Sequence, residues 1–119
     1  MRGYDDAPVK RVIEALVKED LQSDNRFTEM YIHTRINKGY GPVRIKQELQ
    51  QRGIDNTLIA HHLERPEEDW LEISRRVREK KFGKALPGDI KSKMKQSRFL
   101  QQRGFNGDLI RKTLGSVEE

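Results

Sequence analysis

Few residues in this chain have the type and spacing that catalysis or metal binding requires. His61 and His62 are adjacent, so on a helix they should point away from each other, and His33 is remote in the sequence. There is no cysteine, which excludes thiolate ligands, thiol nucleophiles and disulfides. The serines lack the flanking pattern of a nucleophile elbow. We therefore expect no catalytic residue, no metal site and no enzyme activity.

Gly39 and Gly41 have the Gly-x-Gly spacing that phosphate-binding loops also use. A dinucleotide or P-loop fingerprint needs a preceding strand, more glycines and, in the P-loop, a Gly-Lys-Ser/Thr ending, none of which the sequence contains. The two glycines more simply predict a tight and slim turn, with no bound cofactor. Tyr40 lies between them. It is expected either to plug the core or to contact a partner, and the sequence leaves both open.

Lysine and arginine are the residues that best indicate a function, because they are unevenly distributed along the chain. The net charge is +5, but the segment from Arg75 to Lys112 has 13 Lys/Arg and three acidic residues, so it carries +10 and the rest of the chain −5. Such polarity favours an acidic protein or another polyanion as partner. The candidate contact residues are Arg35, Lys38, Tyr40, Arg44, Lys46, Arg75, Arg78, Lys81, Lys91, Lys95 and Arg98.

Within this set, Lys91, Lys95 and Arg98 are spaced i, i+4 and i+7. On a helix they form a stripe that could follow phosphates or an acidic protein ridge. For any single basic residue, a solvated surface remains the simpler interpretation. Arg52 and Arg103 favour a structural role, since a cation in the last turn stabilises a helix C-terminus.

Composition and periodicity predict an all-α protein. Only 34% of the residues are hydrophobic and 36% are charged, which suits thin helical layers better than one large core. No segment alternates with the period of a strand. No apolar run approaches the roughly 18 residues of a membrane span, and the start does not resemble a signal peptide. We expect a cytoplasmic monomer that has no membrane contact and no small-molecule substrate.

One local pattern recurs at intervals of 50 and 51 residues: Arg2-Gly3-Tyr4, Arg52-Gly53-Ile54 and Arg103-Gly104-Phe105. An apolar residue after a glycine that ends a helix is typical of a Schellman cap. The predicted helices run from about Ala7 to Leu21, from a Ser23-Asp24-Asn25 cap to Lys38, from Pro42 to the Gly53 corner, from Asp55 or Asn56 through Leu63, from Pro66 to Phe82, from Asp89 to Arg103, and from Gly107 to Leu114.

The recurring corner predicts tandem three-helix repeats stacked into an elongated, curved array. We expect residues 1–22 to hold the last helix of a truncated first repeat, 23–65 a second three-helix repeat and 66–119 a third. The first corner has no helix before it, so the natural protein is expected to begin further upstream. Phe27, Trp70, Phe99 and Phe105 are predicted to belong to the core.

Three motifs occur together in the first part of the chain: an Asp24-Asn25-Arg26-Phe27 start, the run Lys38-Gly39-Tyr40-Gly41-Pro42-Val43-Arg44-Ile45, and the Gly53-Ile54 ending. In this combination they resemble the RecX family. Trp70, Lys81-Phe82-Gly83 and the segment from Arg98 to Phe105 are similar to the last repeat of that family. The resemblance covers essentially the whole chain, and the combination is far more specific than any one motif.

The resemblance implies a regulatory protein of the bacterial recombinase RecA. Members of the family bind RecA filaments on single-stranded DNA and inhibit the recombinase, ATPase and co-protease activities, which modulates DNA repair and the SOS response. The implied partners are the RecA filament and single- or double-stranded DNA. The alternative is a stand-alone helical nucleic-acid-binding module that uses the same basic surface through counterion release.

Overall fold

A computed structural model describes residues 7–115, with side chains from residue 22 onwards and, before it, at residues 15, 18 and 19. The described residues form six α-helices and no strand, so the all-α prediction is confirmed. The helices are α1 (Ala7–Asn37), α2 (Pro42–Gln51), α3 (Asn56–Leu63), α4 (Glu67–Phe82), α5 (Ile90–Arg103) and α6 (Gly107–Leu114). The predicted Arg2-Gly3-Tyr4 corner lies outside the described residues.

The helices pack as two triplets arranged in an elongated molecule. In the first triplet α1 contacts α2 and α3, and α2 contacts α3; in the second, α4 contacts α5 and α6, and α5 contacts α6. The prediction of tandem three-helix repeats is therefore confirmed. The residue limits given above for the repeats stay a prediction.

The predicted break between two helices near residue 22 is wrong, because α1 is continuous from Ala7 to Asn37. The prediction rested on Ser23, Asp24 and Asn25 as a cap. A capping side chain contributes only about 1 kcal/mol, and neither glycine nor proline follows Pro8 before the end of α1 to interrupt the hydrogen bonds. Asn25 instead hydrogen-bonds the ring of His62 on α3.

The buried face of α1 differs from the face that its apolar residues predict. The sequence suggests a face formed by Phe27, Met30, Tyr31 and Thr34. In the structure Thr28 and Ile32 are buried, whereas Phe27 is 40% and Met30 70% exposed. Apolar residues occur on two adjacent sides of α1, so periodicity leaves its rotation open and packing against α3 decides it. Phe27 is thus not a core residue.

The cores of the other helices follow the sequence more closely. Ile45 and Leu49 of α2 are fully buried, and Trp70 and Phe105 are also buried, as predicted. Phe99 is only partly buried against this core. The buried apolar residues are Ile32, Ile45, Leu49, Ile54, Ile59, Trp70, Ile73, Leu100, Phe105, Leu109, Ile110 and Leu114.

Both described Arg-Gly corners end their helices with the hydrogen bonds of a Schellman motif. At the first, the Gly53 N–H donates to the Gln50 carbonyl oxygen at 3.0 Å, and the Ile54 N–H donates to that of Leu49 at 3.1 Å. The equivalent two bonds close α5 at Gly104, with the same lengths. The predicted cap at Gly53 is confirmed.

The two triplets meet where the α1–α2 turn lies against the second corner. The Gly41 N–H donates to the Arg103 carbonyl oxygen at 2.7 Å, and the Val43 N–H donates to that of Gly104 at 2.9 Å. A Cβ on Gly41 would lie 2.6 Å from the Gly104 oxygen, and a Cβ on Gly104 would lie 2.4 Å from the Arg44 Cβ. This approach of two backbones therefore requires glycine on both sides.

Candidate functional site

Tyr40, in the turn between α1 and α2, is surrounded by arginines. The guanidinium carbons of Arg35, Arg44 and Arg103 lie 4.0, 4.5 and 5.0 Å from the centre of its ring. A guanidinium at such distances is attracted by the ring quadrupole. The ring is half-buried. Of the two interpretations that the sequence leaves open, the structure favours packing over partner contact.

Glu48 on α2 holds two of these arginines, Arg35 and Arg44, in place. Its carboxylate accepts hydrogen bonds from Tyr31 Oη at 2.9 Å, from Arg35 Nε and Nη2 at 3.0 and 2.8 Å, and from Arg44 Nε at 3.1 Å. Burial raises the pKa of Glu48, but the hydrogen bonds from Arg35, Tyr31 and Arg44 outweigh that effect and lower it below its ordinary value. Glu48 is not among the residues predicted from the sequence, although its i, i+4 spacing from Arg44 is a usable signal.

These contacts give Arg35 and Arg44 a structural role within the protein. Arg35 pairs with Glu48 in a part-buried bidentate arrangement. The Arg44 side chain is 43% exposed, and its Nη1 also donates to the Gln102 carbonyl oxygen at 3.1 Å. Arg44 therefore links α2 to the second triplet, and its contact with a partner stays a prediction.

Arg78 on α4 is also among the predicted contact residues, but it is only 2% exposed and cannot meet a partner in this structure. Its guanidinium donates to the carbonyl oxygens of Lys84 and Ala85 and to Gln96 Oε1, each at 3.2 Å. Such acceptors offset the cost of burying a charge. Arg78 thus holds the α4–α5 loop against the body of the second triplet.

Two other candidates, Lys38 and Lys81, come together across the junction of the triplets. Both line a cavity of about 440 Å3, which we name the inter-triplet groove, between the end of α1 and the helices α4 and α5. Both side chains are exposed. The structure thus joins a turn residue and an α4 residue that are 43 positions apart in the sequence.

The predicted stripe on α5 is present on the solvent side of that helix. Lys91, Lys95 and Arg98 are all exposed, and at about 100° per residue Lys95 lies roughly 140° from the buried Leu100. None of the three forms a salt bridge with another described residue. We refer to them as the α5 stripe.

The remaining candidates, Lys46 and Arg75, are exposed and do not line the groove. Lys46 borders a shallow cavity next to α3. Arg75 follows Ser74, which is buried, and is not part of the groove lining. The predicted basic residues therefore do not all line one cavity.

The described residues contain no cluster of three or more His, Cys, Asp and Glu that could hold a metal ion. Their helices include none long and apolar enough to cross a membrane. The rings of His61 and His62 contact each other edge to face, with centres 5.2 Å apart, so the prediction that they point away from each other is wrong.

The fold and the site define a class: an all-α protein of tandem three-helix units with exposed basic patches. Two family models match this chain: the second three-helix domain of RecX matches residues 23–63, and the third matches residues 67–114. The chain therefore belongs to the RecX family.

Named relatives agree with this assignment. The chain is 43% identical over 118 residues to the regulatory protein RecX of Halorhodospira halophila, an alignment that covers 99% of this chain and 73% of the relative. It is 39% identical over 117 residues to the protein of the same name from Acinetobacter baylyi, and this alignment covers 98% of this chain and 72% of the relative. It is also 39% identical over 113 residues to the protein of the same name from Pseudomonas entomophila, an alignment that covers 95% of this chain and 73% of the relative.

Proposed function

We propose that this chain binds RecA filaments on single-stranded DNA and inhibits the recombinase, ATPase and co-protease activities of RecA. It would act without catalysis, in the cytoplasm, as a modulator of DNA repair and the SOS response. The observation on which this proposal rests is the similarity to regulatory proteins RecX along 99% of the chain.

The surface of the second triplet supports a binding role. The α5 stripe presents three exposed cations without a carboxylate partner among the described residues. Clustered cations of this kind attract a polyanion or an acidic protein ridge. We place the main contact with the filament on this stripe.

The experiment is a titration of RecA ATP hydrolysis on single-stranded DNA. Wild-type protein should slow hydrolysis at amounts below one per RecA. A variant in which Lys91, Lys95 and Arg98 are all replaced by glutamate should need about tenfold more protein, which corresponds to 1.4 kcal/mol. A hydrolysis rate that wild-type protein leaves unchanged would refute the proposed function.

A control variant separates a specific contact from a general loss of positive charge. Lys18→Glu, Arg26→Glu and Arg65→Glu together make the same charge change at exposed positions away from the stripe. This variant should inhibit within about twofold of wild type. Equal losses in both variants, or full inhibition by the folded stripe variant, would remove the α5 stripe from the contact.

The exposed stripe also supports the second candidate, a nucleic-acid-binding module that acts alone. In that case affinity for bare single-stranded DNA would be tight and would fall steeply with salt, because each neutralised phosphate releases counterions. RecA ATP hydrolysis would then be unaffected. Measuring both quantities on the same preparation decides between the two functions.

A further inference from the structure

The inter-triplet groove has an apolar floor that the proposed contact along the α5 stripe does not use. The floor is formed by Ile36 at the end of α1, Ile73 and Val77 of α4, and Phe99 of α5. Three of these side chains are only partly buried and pack at the edge of the core. The volume of about 440 Å3 falls within the roughly 300–1,000 Å3 of typical ligand pockets.

The rim of the groove is strongly basic. Its cations are Lys38, Arg76, Lys80, Lys81 and Arg103, and the lining includes no carboxylate. The first four form no salt bridge with any other residue that the structure describes. Clustered like charges over a low-dielectric floor raise the local potential, so the groove selects for negative charge.

We propose that this groove binds an acidic peptide segment of a protein partner, with one large apolar side chain on the floor and carboxylates at the rim. This inference deepens the proposed function and rests on it, since it names the chemistry that the regulated protein would present here. The charge of the rim argues for the carboxylates, and the uncovered floor argues for the apolar side chain.

The floor fits a peptide better than a nucleic-acid strand. Strands without sequence preference stack their bases on aromatic rings. Phe99 is the only aromatic residue in the lining, its ring meets Phe82 edge to face at 5.3 Å, and the cations of Lys81 and Arg103 lie 5.6 and 5.2 Å from its centre. This ring is thus already contacted by another ring and by two cations, and the rest of the floor is aliphatic.

The test is a fluorescence anisotropy titration of the whole chain with labelled probes. The first probe is a pentapeptide with a central phenylalanine and two glutamates on each side. Its sister peptides replace the phenylalanine by alanine or all glutamates by glutamine, and a labelled oligothymidylate is the nucleic-acid probe. We expect the first peptide to bind at least tenfold more tightly than either sister.

Two double variants locate the binding. Arg76→Glu with Lys80→Glu reverses the rim and should weaken binding of the acidic phenylalanine peptide at least tenfold. Lys18→Glu with Arg26→Glu makes the same charge change on exposed positions of α1 outside the groove and should leave the affinity within about twofold. Circular dichroism confirms that each variant is folded.

Three results would overturn the inference. Equal binding of the phenylalanine and alanine peptides would show that the floor is not used. Equal losses in the two double variants would show attraction by net charge alone. Oligothymidylate binding that only the rim variant abolishes, without peptide binding, would make the groove a nucleic-acid site.

The outcome is separable from that of the proposed function. Wild-type inhibition of RecA ATP hydrolysis without peptide binding refutes the groove and leaves the function in place. Peptide binding without any effect on RecA refutes the function and leaves a peptide-binding groove.

Discussion

The corners at Gly53 and Gly104 have the same local sequence pattern and the same backbone hydrogen bonds, but very different surroundings. Both glycines have positive φ, +82° and +100°. A Cβ on Gly53 would meet nothing within 4 Å, whereas a Cβ on Gly104 would overlap the backbone and Cβ of Arg44. One corner only ends a helix. The other ends a helix and also joins the two triplets.

The arginines before the two glycines show the same division. Arg52 lies over the rings of Phe27 and Tyr31 within its own triplet, at 5.8 and 5.0 Å. Arg103 lies near the Tyr40 ring and donates from Nη1 to the Lys38 carbonyl oxygen at 3.1 Å, so it reaches the other triplet. A repeated local motif can thus stabilise a helix end at both described copies and acquire a tertiary role at only one of these two.

The largest difference between the corners should appear on substitution by alanine. Gly104→Ala adds overpacking, typically about 1–3 kcal/mol, to the roughly 1–2 kcal/mol of a left-handed non-glycine residue, so we expect a loss of about 2–5 kcal/mol. Gly53→Ala has only the second cost, about 1–2 kcal/mol. Urea denaturation of both variants measures the free energies of unfolding. Equal losses would show that the Gly104 contact does not constrain the protein.

A smaller effect is expected at Glu48, whose carboxylate holds the arginine cluster on the first-triplet side of the junction. Glu48→Gln keeps the shape but weakens the charged hydrogen bonds, so the free energy of unfolding should fall by about 1–2 kcal/mol at pH 7. Because the folded pKa is lowered, the contribution of the charge is fully present above the ordinary pKa of 4.5 and is lost as pH falls through the folded pKa.

The difference between wild type and Glu48→Gln should therefore be constant above about pH 5 and shrink below pH 4.5. Denaturation curves of both proteins between pH 3 and pH 7 measure it. A difference that stays the same across this range would mean that the ionised carboxylate does not stabilise the cluster.

The smallest effect is expected from the two corner arginines. Arg103→Met should cost about 1 kcal/mol, because it removes a hydrogen bond between the triplets and the cation near Tyr40. Arg52→Met removes only exposed cation–ring contacts and should cost roughly 0.5 kcal/mol. Thermal unfolding of the two variants and the wild type measures both losses of stability. A larger loss at Arg52 would reverse the assignment of the two corners.

Much of the fold follows from local signals in the sequence. The helix α2, between Pro42 and Gly53, and the helix α6 agree with their predicted limits, because proline, glycine and capping side chains act within a few residues. The helices α3 and α5 begin next to the predicted starts, where Asp55 and Asp89 cap them by accepting backbone hydrogen bonds. The motifs that resemble the RecX family also indicate the family correctly.

What the sequence could not predict depends on contacts between distant residues. The rotation of α1 is decided by packing, and the burial of Arg78 depends on Gln96 and the carbonyl groups of a loop after α4. The Gly104 corner has the same sequence pattern as the Gly53 corner, so only the fold distinguishes them. Likewise, the groove forms from residues of both triplets that no spacing rule brings together.

The central claim is that the Gly41–Gly104 contact joins the two triplets into one body. The chain has no cysteine, so two introduced cysteines, at exposed Gln47 of α2 and exposed Lys95 of α5, take spin labels at these sites alone. Double electron–electron resonance should give one narrow distance distribution in this background and a broader one after Gly104→Ala, under conditions where both proteins remain helical. A broad distribution before the substitution, or the same narrow one after it, would contradict the claim.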